Sequence, residues 1–365
     1  MLKYRDWIID LSTQSYPDTI VLELTTDCNL KCIHCFRNAI WDCSTGAMDK
    51  KTFSRLLEEI IKCNVERVVL SGWGEPLLHK EIINYIYELK EARVSSIALN
   101  TNGTLLSEYV DSLITYIDEF IISIDAVNKD LYRTIRQGDF SDVLNGIIKL
   151  NKYRIRKIMK PALTLLFTAN LINIKELINV VKFAKNVGAN KLIISNFIPI
   201  SYETEDKLGI LVKHDIPKLY DNIISEIAKL SMGYNILISI ASYKPKVERL
   251  CPFISNNAVF IRFDGSVSPC LNYAHGWKFV LEGIPRKIHS VTYGNISNND
   301  LDEIWRQYRY TQLRYNLDAG LFPSCLDCPT RKVCRYTLSN EYDCWGNNPT
   351  CAHCIFYHRM AICPI

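Results

Sequence analysis

Val21-Leu22-Glu23-Leu24-Thr25-Thr26-Asp27-Cys28-Asn29-Leu30-Lys31-Cys32-Ile33-His34-Cys35 is the stretch that decides the fold. Residues 21–24 form a short apolar run, the signature of a buried strand. The run leads directly into a C-x3-C-x2-C loop made by Cys28, Cys32 and Cys35. A helical pattern follows, with Phe53, Leu56, Leu57, Ile60 and Ile61 on one face. Strand, thiol-bearing loop and helix together make one βα unit, with the cysteines at the C-terminal end of the strand.

Outward from this unit the pattern repeats. Strand signals at 67–70, 96–99, 119–124, 162–168 and 191–196 alternate with helical patterns at 80–92, 105–116, 142–153, 175–187 and 214–232. Repeated βα units predict a parallel sheet with helices outside it. Six such units are too few for a closed eight-stranded barrel and suit an open barrel or a doubly wound sheet. Past residue 240 the alternation stops. Residues 259–263 and 267–269, joined by Asp264-Gly265, read as a hairpin, and 301–317 as one helix. The last forty residues show turns and cysteines without a period. Such a segment needs metal cross-links to hold a fold.

Composition narrows the function. In 365 residues, 48% are hydrophobic and 22% charged, which excludes extensive disorder. Lys+Arg minus Asp+Glu is 43 − 39 = +4, too weak a balance to demand nucleic acid or another polyanion. The first six residues hold no apolar signal region. The longest apolar stretches, near 163–174 and 192–200, are too short to span a bilayer. The expectation is a cytoplasmic protein with no membrane partner. Of fourteen cysteines, five precede residue 250 and nine follow it. Clustered cysteines in a cytosolic chain read as metal ligands rather than disulfides. The shift in density places a domain boundary near residue 245.

Three thiolates on one loop can hold three irons of a cubane cluster, leaving the fourth iron without a protein ligand. An open coordination position is what a catalytic metal needs. Zinc is the competing reading. It wants a fourth ligand nearby, and His34, the one candidate, sits in poor geometry inside the x2 gap.

The Cys28, Cys32, Cys35 loop after the first strand resembles that of the radical S-adenosylmethionine (SAM) enzymes. Later segments follow the same order as in that family. Ser71-Gly72-Trp73-Gly74-Glu75-Pro76 is similar to its Gly-Gly-Glu-Pro segment, with Trp73 set between the glycines. Asn100-Thr101-Asn102-Gly103-Thr104 resembles its Thr-Asn-Gly segment. The resemblance, over residues 20–230, implies that Glu75 and the backbone of Gly72 to Pro76 hold the methionine amino group, with Asn102 in the segment beside them. It further implies that Ser123 and Asp125 face the ribose or carboxylate, that Arg136 pairs with the carboxylate, and that Asn170 lies near the adenosine. A solvated helix charge is the alternative for Arg136. The implied chemistry is one-electron reduction of SAM at the open iron, giving methionine and a 5′-deoxyadenosyl radical that takes a hydrogen atom from substrate.

Cys251, Gly265 and Cys270 form a C-x13-G-x4-C pattern, followed by Cys325-x2-Cys328-x5-Cys334. This resembles the SPASM extension, which carries auxiliary iron–sulfur clusters. The next cysteine of that pattern would fall at Leu338 and is absent. Cys344, Cys351, Cys354 and Cys363 stand beyond it. Nine thiols suit two auxiliary [4Fe-4S] clusters, which need about eight. Their division between clusters stays open, and zinc ribbons are the alternative. The tail from Asp343-Cys344-Trp345 through Cys363-Pro364 resembles the tungsten cofactor oxidoreductase radical SAM maturases.

The resemblances together imply an α/β fold: a lead-in at 1–19, an incomplete (β/α)6 TIM-type barrel at 20–240, and a cysteine-rich α+β cluster-binding extension at 245–365. The implied partners are a reducing protein (flavodoxin or ferredoxin) and a large substrate, a tungsten oxidoreductase or its pterin cofactor. Two rivals stand beside this: a SPASM-type peptide or protein modifier, and a non-catalytic iron–sulfur electron carrier. Cys43 reads as a loop thiol, Cys63 as packing, and the basic stretch 154–160 as a solvated helix end. Trp305, Tyr308, Tyr310 and Tyr315, interleaved with arginines, read as a helix with one core face.

Overall fold

Alternation along each strand builds two layers. Ile20, Leu22, Val68, Leu70, Ile97, Leu99, Phe120 and Ile122 point outward and pack beneath the helices. Val21, Val69, Ala98 and Ile121 point inward and pack with residues of the C-terminal extension. The computed structural model describes residues 2–4, 6–9, 16–42, 45–156, 160–211, 216–231 and 233–365.

β1 (Leu2–Tyr4) and β2 (Trp7–Ile9) form a small antiparallel hairpin within the lead-in. β3 (Thr19–Leu22), β4 (Arg67–Leu70), β5 (Ser96–Thr101), β6 (Glu119–Ser123), β7 (Ala162–Ala169), β8 (Lys191–Asn196) and β9 (Leu237–Ile240) then pair in sequence, all parallel. β10 (Ala258–Ile261) adds a further parallel strand on the far side of β3, and β11 (Ser266–Ser268) turns back on it. β12 (Trp277–Leu281) and β13 (Ile284–Ile288) make a separate hairpin, and β14 (Gly294–Asn295) edges the main sheet beside β11. The sheet order β14-β11-β10-β3-β4-β5-β6-β7-β8-β9 leaves two edges, so the barrel is incomplete.

Several details differ from the sequence reading. The first strand sits two residues earlier than expected, at Thr19–Leu22, and Glu23 just beyond it donates its backbone N–H to the Ile261 carbonyl at 2.9 Å. Two parallel strands, β9 and β10, extend the expected six. Strands from both sides of residue 245 therefore share the main sheet, β9 beyond β8 and β10 beside β3. The expected 301–317 helix is two, Leu301–Arg306 and Tyr308–Asp318, broken at Gln307, whose backbone is extended. The break frees the Trp305 carbonyl, and Arg314 Nη1 donates to it at 2.8 Å. The Arg314 guanidinium also covers the Trp305 and Tyr310 rings, both buried, which is the core face expected of that segment.

Arg154 is not a solvated helix end. It is wholly buried and donates to the carbonyls of Pro161 and Gly188 and to the Asn151 and Asn190 side chains. Cys63 packs in the core, as expected, at the end of the Lys50–Cys63 helix. Cys43, residues 157–159 of the basic stretch and His214 lie outside the described residues. No helix among the described residues is long and apolar enough to cross a membrane.

Candidate active site

The loops at the C-terminal ends of β3 to β8 surround a cleft open to solvent. Cys28, Cys32 and Cys35 line one wall. Burial pushes the Cys35 thiol up to about 11 and also raises Cys32, whose rise the nearby Arg136 opposes. Thiolates in such surroundings need a cation, and binding a metal there releases their protons. The Cys32 thiol points at the Arg136 carbonyl at 3.6 Å, and Asn102 Nδ2 stands 3.9 Å from Cys28 Sγ.

The 72–75 loop after β4 packs directly on the segment leading to the cysteines. The Glu75 N–H donates to the Asp27 carbonyl at 2.7 Å. A Cβ on Gly74 would stand 2.3 Å from the Thr25 carbonyl oxygen and 2.5 Å from that of Asp27. Only glycine fits there, since both obstacles are backbone. Gly74→Ala is therefore expected to displace the cysteine loop, costing about 1–3 kcal/mol in stability and about tenfold or more in SAM cleavage. Paired unfolding and turnover assays check this.

Glu75 is buried and accepts from the Thr101 hydroxyl, the Asn102 N–H and the Leu77 N–H. Burial pushes its carboxyl up, against the pull of those hydrogen bonds. Across the cleft, Asp125 and Arg136 form a buried ion pair at 3.0 Å. Arg136 is carried inward by the helix Lys129–Arg136, which Asn128 caps. The solvated alternative for Arg136 is thus set aside by its burial. Asp125 also accepts the Thr168 N–H at 2.7 Å and stands 3.3 Å from His34 Nε2.

Of the residues expected at the site, Cys28, Cys32, Cys35, Gly72, Trp73, Gly74, Glu75, Asn102, Ser123, Asp125 and Arg136 all line this cleft. Pro76 and Asn170 do not. Pro76 begins the 3-10 turn Pro76–Leu78 beneath the loop. Asn170 is buried in the turn after β7, where its side-chain oxygen accepts from Ile172 and Asn173. Sequence reasoning weighed His34 only as a poorly placed zinc ligand and missed that it lines the cleft beside Asp125. Its place in the x2 gap, between two of the loop cysteines, was the available signal. It also missed the tail. Ala361, Ile362 and Pro364 form part of the cleft wall. The Ile362 N–H donates to Ser195 Oγ at 3.0 Å, and Asn196 Nδ2 donates to the Met360 carbonyl at 2.9 Å.

The nine C-terminal cysteines divide into two groups. Cys251, Cys270, Cys351, Cys354 and Cys363 line one pocket. Cys325 neighbours Cys328, Cys334 and Cys344, and burial together with those thiols pushes it up to about 12. Among the described residues, no three ligands gather tightly enough to chelate a single ion. Sets of five and four thiols fit cubane clusters, in which each iron takes one thiolate.

Residues 22–184 match the family model of the radical SAM superfamily, and residues 251–329 match that of the SPASM iron–sulfur cluster-binding domain. The chain thus carries a radical SAM domain and a SPASM domain, whose cofactors are SAM and [4Fe-4S] clusters. Over 95% of its length it is 29% identical to the tungsten-containing aldehyde ferredoxin oxidoreductase cofactor-modifying protein of Pyrococcus furiosus, covering 97% of that protein. It is 28% identical to a probable GTP 3′,8-cyclase of Methanocaldococcus jannaschii over 68% of this chain and 83% of that one. Among solved structures, Streptococcus suis SuiB bound to S-adenosylmethionine superposes with a TM-score of 0.62 at 19% identity, covering 88% of this chain and 72% of that one. The anSMEcpe enzyme with bound AdoMet gives 0.61 at 19% identity, covering 88% and 87%. These two likenesses establish the fold.

Proposed function

We propose that this radical SAM enzyme matures a tungsten-containing oxidoreductase or its pterin cofactor. The observation that carries the reading is the end-to-end similarity to the Pyrococcus furiosus cofactor-modifying protein, which spans the barrel and the cysteine-rich tail alike. The peptide-modifying rival has only likeness of fold behind it.

Cys28, Cys32 and Cys35 would hold the cluster whose open iron takes SAM. Bound there and reduced by one electron, SAM supplies a 5′-deoxyadenosyl radical for hydrogen abstraction. The 72–75 loop and Asn102 would orient the methionine end. Asp125 and Arg136 would face the polar groups of the nucleoside or carboxylate, with their charges already compensated. The apolar wall of Phe197, Ile198 and Ile362 would keep water from the reacting end of the cleft. Two auxiliary clusters would occupy the extension, one on Cys325, Cys328, Cys334 and Cys344, the other on four of Cys251, Cys270, Cys351, Cys354 and Cys363. Residues 20–240 and 245–365 would act as cooperating modules in the cytoplasm, reduced by a flavodoxin or ferredoxin.

The test is co-expression with a tungsten-dependent aldehyde oxidoreductase in a host lacking such a maturase. At least about tenfold higher aldehyde oxidation with this chain than with its Cys32→Ala form is expected. Full oxidoreductase activity without the chain would overturn the role.

A further inference from the structure

Glu23 and His275 are both completely buried, yet they come from opposite ends of the chain. Glu23 lies just past β3. His275 belongs to the extension, five residues after Cys270. Its Nε2 stands 2.8 Å from Glu23 Oε1, and the acceptor character of the carboxylate assigns the donated proton to Nε2. The other Glu23 oxygen accepts the backbone N–H of Trp73 at 2.9 Å. A buried carboxylate left half-paired is strongly destabilising, so both partners are required to keep Glu23 where it is.

Glu23 also shapes the loop sterically. A Cβ on Gly72 would stand 2.6 Å from Glu23 Cγ. Gly72 is therefore bare because the Glu23 stem fills the space beside it. Trp73 then ties the loop to the extension a second time. Its indole N–H donates to the Leu271 carbonyl at 3.2 Å, and its ring meets those of His275 and Trp277 edge-on at 5.2 and 5.9 Å. The 72–75 loop thus rests on the cysteine segment along one flank and on the extension along the other. Trp73, the residue that departs from the Gly-Gly-Glu-Pro pattern, is the piece that reaches across. Ligand-facing backbone is effective only when its orientation is fixed in advance.

We propose that His275 is a positioning residue for SAM: acting through Glu23, it fixes the 72–75 loop and makes the C-terminal module part of the SAM site. The proposal rests on the reading of that loop as SAM-binding.

The experiment uses the anaerobically reconstituted full chain with SAM as the probe. His275→Ala is expected to raise the KM for SAM about tenfold with kcat within about twofold, the signature of lost binding rather than lost chemistry. The SAM-dependent change in the electron paramagnetic resonance spectrum of the reduced N-terminal cluster shifts to about tenfold higher SAM in parallel. His275→Gln returns an N–H donor to Glu23 and is expected to restore both values to within about twofold. An unchanged KM in H275A, or an equal rise in H275A and H275Q, overturns the proposal. Should H275A fail to fold, Glu23→Asp withdraws the carboxylate by one methylene; it is expected to show the same KM rise, and an unchanged KM overturns the proposal. A wild-type spectrum that ignores SAM overturns the reading of the site itself and this proposal with it. A wild-type response beside an unchanged H275A overturns this proposal alone.

Discussion

Replacing any one of Cys28, Cys32 and Cys35 with alanine is expected to lower 5′-deoxyadenosine formation by at least about 10³-fold. Each thiol is the sole candidate for one iron of the N-terminal cluster, and the other two cannot compensate, because each iron takes one thiolate. Two of the three sit in surroundings that hold the thiol protonated until a cation replaces the proton. Losing one ligand therefore leaves at least one desolvated thiol facing an incomplete cluster. Iron is expected to fall by about four per chain, with the auxiliary iron retained. Cys63→Ala is the contrasting variant. Cys63 is buried in a helix face away from the cleft, so it is expected to cost stability and spare SAM cleavage. A fully active C32A enzyme would contradict the assignment.

Arg136→Met is expected to destabilise the protein by about 3–5 kcal/mol, the penalty for leaving a buried charge uncompensated. The side chains of Arg136 and Asp125 are only 8% and 2% exposed, so solvent does little to screen the orphaned carboxylate. Asp125 keeps the Thr168 N–H and His34, but neither supplies a fixed positive charge, and burial lowers the His34 pKa. Urea unfolding of wild type and variant at matched iron content checks the size of the effect. The double variant Asp125→Asn with Arg136→Met is expected to recover much of the loss, since it removes both charges together. A loss under about 1 kcal/mol for R136M would show that the pair is not buried as described.

The place of the Cys28, Cys32, Cys35 loop on the cleft was legible because its pattern is local: three thiols within eight residues, placed by the preceding strand. Glu75, Asn102 and Asp125 were legible for the same reason, each ending a parallel strand. Arg136 was only half legible. Its helix, Lys129–Arg136, buries just Tyr132, Ile135 and Arg136 itself, too few apolar positions to reveal a period. Its inward direction depends on meeting Asp125 across the cleft.

Non-local contacts account for the other misses. β9 is a short edge strand whose Leu237 is largely exposed, so its pattern is weak. Arg154 looked like a solvated cap because its four acceptors come mostly from later loops. The tail carries no period at all, yet Ile362 and Pro364 wall the cleft while Cys363, between them, faces the auxiliary cavity. The partition of the C-terminal thiols was equally hidden. Cys325, Cys328 and Cys334 are neighbours in sequence, but whether Cys344 or Cys351 joins them is decided by how the chain returns in space.

One SAM-cleaving cluster and two auxiliary ones are expected in each chain. Iron and sulfide per chain after anaerobic reconstitution, followed by SAM turnover with a strong reductant, tests this most directly. About twelve irons with formation of 5′-deoxyadenosine are expected. About four irons with zinc in the C-terminal sites would contradict the auxiliary clusters, and intact clusters without SAM cleavage would contradict the catalytic assignment.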